Sequence, residues 1–321
     1  MKPPYEISTL VLELVASISV KLGEVKANFL SKPPPKLRKQ NRIRTIHSSL
    51  SIEGNTLSQE QITAILENKR IIGPRKDIKE VENANRVYSQ ITEYNPHSAK
   101  SFLSAHNLLM SELVENPGRY RSRDVGILHG AKVAHLAPQP ENVPTLMNSL
   151  FDYLKKDKEL SLIKSCVFHY EVEFIHPFLD GNGRMGRLWQ TLILMQDYPV
   201  FEYIPVETLV RQTQEDYYRA LKGSDNAGSS TLFIEYMLAM IDRSLDEFLN
   251  IRGQSLSQTE RIRHFLEAGI QEFTRKDYMD LFKSISSATA SRDLKMGVEM
   301  KLFAKSGLKN KTVYKIARTS L

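Results

Sequence analysis

Apolar positions recur at helical spacing along most of this chain. Residues 162–175 are apolar along most of their length and predict one buried helix, and 188–195 predict a second. Pro177 biases the residue before it away from helical geometry, so His176 ends the first of these helices and Gly181-Asn182-Gly183 forms the turn into the second. Nearer the N-terminus, Ile43, Ile46 and Leu50 share a helical face, and Ser49 and Glu53, four apart, share another. Gly54-Asn55 ends that helix, and Ser58 with Gln61 reads as the capping box of the next. A turn at 116–121 is followed over 124–138 by weak alternation with Gly130 at the reversal, which predicts a small hairpin. The C-terminal part shows three short helical patterns, over 261–269, from Thr274 (with Asp277 as its capping partner) and from Ser287. Two strand-like runs, 302–305 and 312–316, then flank a turn rich in Gly, Asn and Lys.

The densest chemistry lies between the two buried helices. Residues 176–187 read His-Pro-Phe-Leu-Asp-Gly-Asn-Gly-Arg-Met-Gly-Arg. The backbone N–H groups and positive dipole end of a helix N-terminus meet an anion there, and the two glycines let backbone approach a phosphate closely. Asn182 can cap the helix or bond a phosphate oxygen, and Arg184 and Arg187, three apart, share one face. A guanidinium pair beside such a turn suits the β- and γ-phosphates of a nucleotide, with Asp180 as a ligand for the Mg²⁺ that bridges them. Phe178 reads as a core anchor for the loop.

This segment resembles the Fic family signature, His-Pro-Phe-x-(Asp/Glu)-Gly-Asn-Gly-Arg-x-x-Arg, at every fixed position. The resemblance implies a mainly α fold: a helical Fic core with a small β-hairpin flap. It also implies transfer of AMP from ATP to a Ser, Thr or Tyr hydroxyl of a protein, with pyrophosphate leaving. His176 would then be the general base and Asp180 the Mg²⁺ ligand. Gly181, Asn182 and Gly183 would cradle the α- and β-phosphates, with Arg184 on the β-phosphate and Arg187 on the γ-phosphate. A His near its ordinary pKa suits proton acceptance at neutral pH, and phosphoryl chemistry is mostly positioning and charge neutralisation. ATP is the donor the resemblance favours; other nucleotides and phosphocholine donors occur on the same fold.

Within that reading, Ser49-Leu50-Ser51-Ile52-Glu53-Gly54 resembles the inhibitory helix motif of autoinhibited Fic proteins, carried here ahead of the core at about 43–54. A bidentate Glu53–Arg187 pair would occupy the γ-phosphate cation and misalign bound ATP. The same carboxylate could instead orient a water that removes AMP, and the direction stays open. The hairpin at 124–138 resembles the Fic flap, which aligns a target segment by strand addition. Residues 214–221 resemble the Tyr-Tyr-x-Ala-Leu helix near the adenine, which makes Tyr217 and Tyr218 candidates for nucleotide contact.

Composition narrows the rest. The chain has 321 residues, 41% of them hydrophobic, enough for about two domains with their own cores. The expected boundaries are an N-terminal helical segment at 1–40, the core at 41–252 and a third domain at 253–321, with polar 253–258 as linker and Pro33-Pro34-Pro35 as a stiff joint. The one cysteine, Cys166, lies in an apolar run and reads as a buried thiol of a reducing compartment. Glu13 interrupts the first apolar run, no stretch approaches a membrane span, and a cytoplasmic location is expected. Residues 254–321 hold 13 Lys and Arg against 7 Asp and Glu, so all but one of the seven net positive charges belong to them. Lys36, Arg38, Lys39, Arg42 and Arg44 read as a solvated face.

Three helices and a hairpin resemble a winged helix-turn-helix. Ser287, Thr289, Ser291 and Arg292 would face a DNA major groove, while Lys309 and Lys311 neutralise phosphate. Such modules also dock proteins, so DNA and protein both stand as partners of 253–321, beside ATP, a hydroxyl-bearing protein target and a second copy in a homodimer. The competing whole-chain reading is a DNA-binding transcription regulator that uses a weakly active Fic core as a nucleotide sensor; an intact His176 speaks for the enzyme. A di-metal hydrolase is set aside, because Glu173-x-x-His176 has no second copy in the chain.

Overall fold

The computed structural model describes residues 2–28, 35–129, 132–255, 258–268, 270–282, 285–307 and 312–317. Gly130, Ala131, Pro33, Pro34, Lys309 and Lys311, to which the sequence assigns a turn, a joint and a wing, lie outside them. The chain divides into two compact units, one of 1–24 and 29–244, the other of 25–28 and 245–321.

The first unit is helical apart from one hairpin. In order come α1 (Thr9–Asn28), α2 (Pro35–Ile52), α3 (Gln59–Leu66), α4 (Arg75–Ser89), α5 (Ala99–Leu109), β1 (Gly126–His129) and β2 (Lys132–Leu136). Then follow α6 (Val143–Lys156), α7 (Ser161–Ile175), α8 (Asn182–Asp197), α9 (Val206–Gln212), α10 (Gln214–Ala227) and α11 (Thr231–Ser255); the ends of α1 (25–28) and α11 (245–255) belong to the second unit. The first 24 residues belong to the same unit as the residues that follow 29, not to a separate segment, as Ser17 Oγ donating to Asp242 and the Lys21–Asp242 ion pair at 2.8 Å show. Nor is 253–258 a plain linker, because α11 stays helical through Gly253 to Ser255 and α12 begins at Gln258. The helix carrying Ser49 starts at Pro35, earlier than expected, and Glu53-Gly54 lies in the turn after it, with Gly54 at φ 89°. The Ser58–Gln61 capping box is present at the start of α3.

The core of this unit reaches the signature loop directly. Phe102 of α5 stacks on Phe178 at 5.4 Å between centroids and meets Trp189 of α8 edge-on at 4.9 Å and Phe168 of α7 at 5.9 Å. All four rings are fully buried, so the loop between α7 and α8 is pinned by the aromatic core itself. Gly186 lets the two helices close up, since a Cβ there would lie 2.6 Å from the His169 ring. Cys166 is free, buried between the same helices and pushed up to about 12 by burial.

The second unit has α12 (Gln258–Glu267), β3 (Glu272–Phe273), α13 (Arg275–Leu281), α14 (Ser287–Glu299), β4 (Phe303–Ser306) and β5 (Val313–Ile316). The order of three helices and a hairpin matches the sequence pattern, and the Thr274–Asp277 capping box is present. Strand β3 was not foreseen, because two residues carry no alternation; it pairs antiparallel with β5 in a sheet of order β3-β5-β4. Phe265, Phe273, Tyr278, Leu294 and Phe303 form the core. Within it Asp293, 1% exposed, takes Arg261 Nε at 2.5 Å and Nη2 at 2.9 Å, and Tyr278 donates to it at 3.3 Å. Removing one partner of such a buried pair costs on the order of 3 kcal/mol. Arg261→Met is therefore expected to speed amide exchange in α12 and α14 roughly a hundredfold, and exchange within threefold of wild type would contradict this account.

Candidate active site

The site is assembled where α7 ends and α8 begins. His176 caps α7 in the left-handed conformation, φ 51°, with its N–H still donating to Val172 O at 3.0 Å. That backbone reversal turns the chain out of the helix, as Pro177 requires. Nδ1 of His176 lies 3.4 Å from the Glu173 carbonyl. A proton on Nδ1 serves that carbonyl and makes Nε2 the basic nitrogen of the neutral ring.

Asn182 does not cap α8 with its side chain, one of the two jobs the sequence offered. Its Oδ1 accepts from Phe178 N and its Nδ2 donates to Phe178 O, both at 2.9 Å, so the side chain closes the loop on itself. The cap position of α8 falls to Gly181, φ 89°, with no side-chain cap bond. The first N–H groups of α8 therefore face the site with the positive end of the helix dipole.

Carboxylates answer this positive end. Arg187, 2% exposed, donates from Nη2 to Glu53 Oε1 at 2.6 Å, from Nε to Ser49 Oγ at 3.1 Å and from Nη2 to Ser49 O at 3.0 Å. The Glu53–Arg187 pair is thus present but not bidentate: Glu53 takes only Nη2, which it shares with Ser49 O, and Ser49 Oγ takes Nε. Nη1 is buried without a hydrogen-bond partner among the described residues. Burial opposes the charge of Arg187, but Glu53, with Tyr217 and Glu173, outweighs it and raises the pKa. The Glu53 carboxylate also lies over the start of α8: a Cβ on Gly183 would be 2.5 Å from its Oε1. Arg184, 3% exposed, pairs instead with Glu80 of α4 at 3.1 Å and Asp180 at 2.8 Å, so the two arginines do not share partners. Glu80 also accepts from Asn55 at 2.8 Å, which fastens the turn after Glu53.

Asp180 is 44% exposed at its side chain and takes Gly181 N at 2.6 Å as well as Arg184. Among the described residues no group of three metal-ligating side chains occurs. Asp180 alone fits Mg²⁺, which usually takes one or two carboxylates and completes its shell with phosphates and water. A cavity of about 260 Å³, lined by His106, Asn116, Arg119, Tyr120 and Leu179, opens beside this carboxylate.

Tyr217 departs from the expected nucleotide contact. It is 1% exposed, and its hydroxyl donates to Glu173 Oε1 at 2.8 Å and meets His169 Nε2 at 3.1 Å. The ring belongs to the core and offers no face to a base. Tyr218 is half-buried, accepting from Gln214 at 3.2 Å, and keeps a ring that a base could meet. Burial, and then the nearby Glu53, push Glu173 up to about 7.

Three residues that hold the site escaped the sequence reading. Glu80 is one. Arg121 was seen only as part of a turn. His106, 1% exposed, stacks flat on Phe178 at 3.6 Å, accepts Gly118 N–H at Nδ1 (2.9 Å) and so donates from Nε2 to Asp180 O at 3.0 Å. A buried His on an amphipathic helix has no sequence signal that separates it from a core residue.

The profile of the Fic/DOC family matches residues 96–194, which span this site. Over its whole length the chain is 39% identical to a Fic family protein from Desulfovibrio desulfuricans G20 of known crystal structure, covering 100% of both chains with a TM-score of 0.75. The chain belongs to the Fic family. Fic-1 from Caenorhabditis elegans shares the fold at 22% identity and a TM-score of 0.64, over 76% of this chain and 73% of that one. The protein adenylyltransferase Fic of Nematostella vectensis is 29% identical over 244 residues, 71% of this chain and 53% of the relative. The chain spans about half the length of the curated relatives it matches.

Burial holds the pKa of His106 down to about 4 against an ordinary 6.5. A depressed His contributes stability that is complete above pH 6.5 and is lost as pH falls toward 4, about 3 kcal/mol in all. Glu171, Glu173 and Glu207, raised to about 7 by burial, work in the opposite sense, so the comparison must be with a variant. Urea denaturation followed by the sole tryptophan, Trp189, is expected to show wild type losing that much more than His106→Gln between pH 6.5 and 4. Equal acid slopes would count against a neutral, buried His106.

Proposed function

We propose that this chain is a protein adenylyltransferase that moves AMP from ATP to a hydroxyl side chain of a protein, and that Glu53 holds it in a resting state. The reading is carried by the placement of a basic His176 Nε2, the first turn of α8 without a side-chain cap and two buried arginines around one loop. The target oxygen would attack the α-phosphorus while its proton passes to His176 Nε2. The bond from the α-phosphorus to its bridging oxygen breaks, and pyrophosphate departs. Arg184, Arg187 and the α8 N–H groups answer the phosphate charge in place of water. Asp180 would hold Mg²⁺, which when bound adds further neutralisation of the phosphates. The hairpin β1–β2, antiparallel with Gly126 opposite Leu136, supplies the edge on which a target segment would lie.

Glu53 opposes this chemistry simply by occupying Arg187. A phosphate at the same guanidinium would have to displace a charge-assisted hydrogen bond, about 2 kcal/mol. The reverse activity, with Glu53 orienting a water toward an AMP-modified target, uses the same carboxylate and remains part of the proposal. Incubation with ATP and Mg²⁺ followed by intact-mass analysis is expected to show AMP adducts on Glu53→Gly at rates tens-fold above wild type, and none on Glu53→Gly with His176→Ala. Glu53→Gly that binds ATP calorimetrically but neither modifies itself nor a protein substrate would sink the proposal.

The second reading, DNA contact through residues 253–321, rests on a narrower observation. Ser287, Ser291 and Arg292 are exposed and Thr289 half-buried at the start of α14, in a segment with a surplus of basic residues. Binding of that kind is expected to weaken steeply as salt rises from 50 to 200 mM, and no binding at 50 mM would end it.

A further inference from the structure

We propose that Arg121 is a positioning residue that couples the β1–β2 hairpin to the loop carrying His176. It is 4% exposed, and among the described residues it forms no ion pair with a carboxylate. Its guanidinium is spent on backbone carbonyls: Nε donates to His176 O at 2.8 Å, Nη2 to Ile175 O at 3.4 Å and to Pro138 O, and Nη1 to Arg123 O at 3.1 Å. Its own N–H donates to Pro177 O at 2.9 Å.

These acceptors are not scattered. Ile175 and His176 are the last carbonyls of α7, where the helix dipole is negative and the orphan acceptors need donors. Arg123 lies three residues before β1 and Pro138 two residues after β2, at the two roots of the hairpin. One planar fork thus joins both ends of the hairpin to the peptide that places His176 in its left-handed turn. A buried guanidinium without a carboxylate is costly. Its retention here fits a need to fix three strands of backbone at once, which a neutral side chain with fewer donors could not do. Burial lowers its pKa, and Asp124 and Glu141 partly offset that.

The functional side of this inference rests on the adenylyltransferase reading, in which the hairpin aligns the target and His176 takes its proton; relative placement of the two then sets the attack geometry. Arg121 touches no reacting atom. Hydrogen exchange of the full chain separates the coupling from the chemistry. Arg121→Gln is expected to speed exchange at least tenfold in both 124–129 with 132–137 and 174–181, with Arg121→Lys in between, while 43–54 and 184–195 stay within twofold of wild type. A change in only one of the two segments, no change, or a global loss of protection in both variants would overturn the coupling. In a Glu53→Gly background, Arg121→Lys should lower AMP transfer at saturating ATP at least tenfold with ATP affinity held within threefold; a matching loss of ATP affinity would assign Arg121 to nucleotide binding instead. Should Glu53→Gly itself transfer no AMP, the activity reading fails while the exchange result still decides the coupling.

Discussion

A guanidinium buried at the positive end of a helix must be met by an anion. Two of them, Arg184 and Arg187, are buried within the first two turns of α8, and the unit around them is arranged to answer that demand. Glu53 and Ser49 arrive from α2 and its following turn, Glu80 from α4 and Asp180 from the loop. An uncompensated buried charge costs several kcal/mol, which makes the docking of α2 and α4 a condition of folding. Under the proposed function a nucleotide offers the same charge from outside, so the resting and loaded states are alternative solutions to one electrostatic problem.

Much of this was legible in the residues. The loop could be read because Pro177, Gly181 and Gly183 each impose a backbone constraint visible at one position, and because the two arginines have a fixed spacing. Glu53 could be read only through the resemblance of Ser49-x-x-x-Glu53-Gly54 to the inhibitory motif of Fic proteins; its spacing from Ser49 alone describes an ordinary surface carboxylate. What escaped was non-local. His106 and Glu80 act across 74 and 104 residues of chain on Asp180 and Arg184, and nothing in their neighbours' spacing announces it. Tyr217 was misplaced for a related reason. An aromatic pair on a helix shows that one ring faces inward without showing which, and here the inner ring spends its hydroxyl on Glu173 and His169.

The C-terminal unit shows the same division between local and distant information. Its helix starts are marked by capping residues that need only three neighbours, and they fall where Thr274 and Ser286 stand. Its buried ion pair joins residues 32 apart and its first strand is two residues long; neither leaves a pattern. The polar stretch before it stays helical because Gly and Ser weaken a helix by about 1 kcal/mol or less each, too little to stop one already running for about six turns.

Gly183 closes the account from the other side. A Cβ there would lie 2.5 Å from Glu53 Oε1 and 3.0 Å from both Arg187 Nη1 and Glu173 Oε1, so of the three groups crowding its α-carbon Glu53 stands nearest, and it is held there by its own chain. Under the proposed function that makes the carboxylate a competitor whose local concentration is set by the chain, on the order of millimolar or above for short tethers, and not by the cell. Apparent nucleotide affinity would then be the intrinsic affinity scaled by the fraction of molecules with the turn undocked. Anything that loosens Asn55 from Glu80 would change that fraction without touching the nucleotide at all.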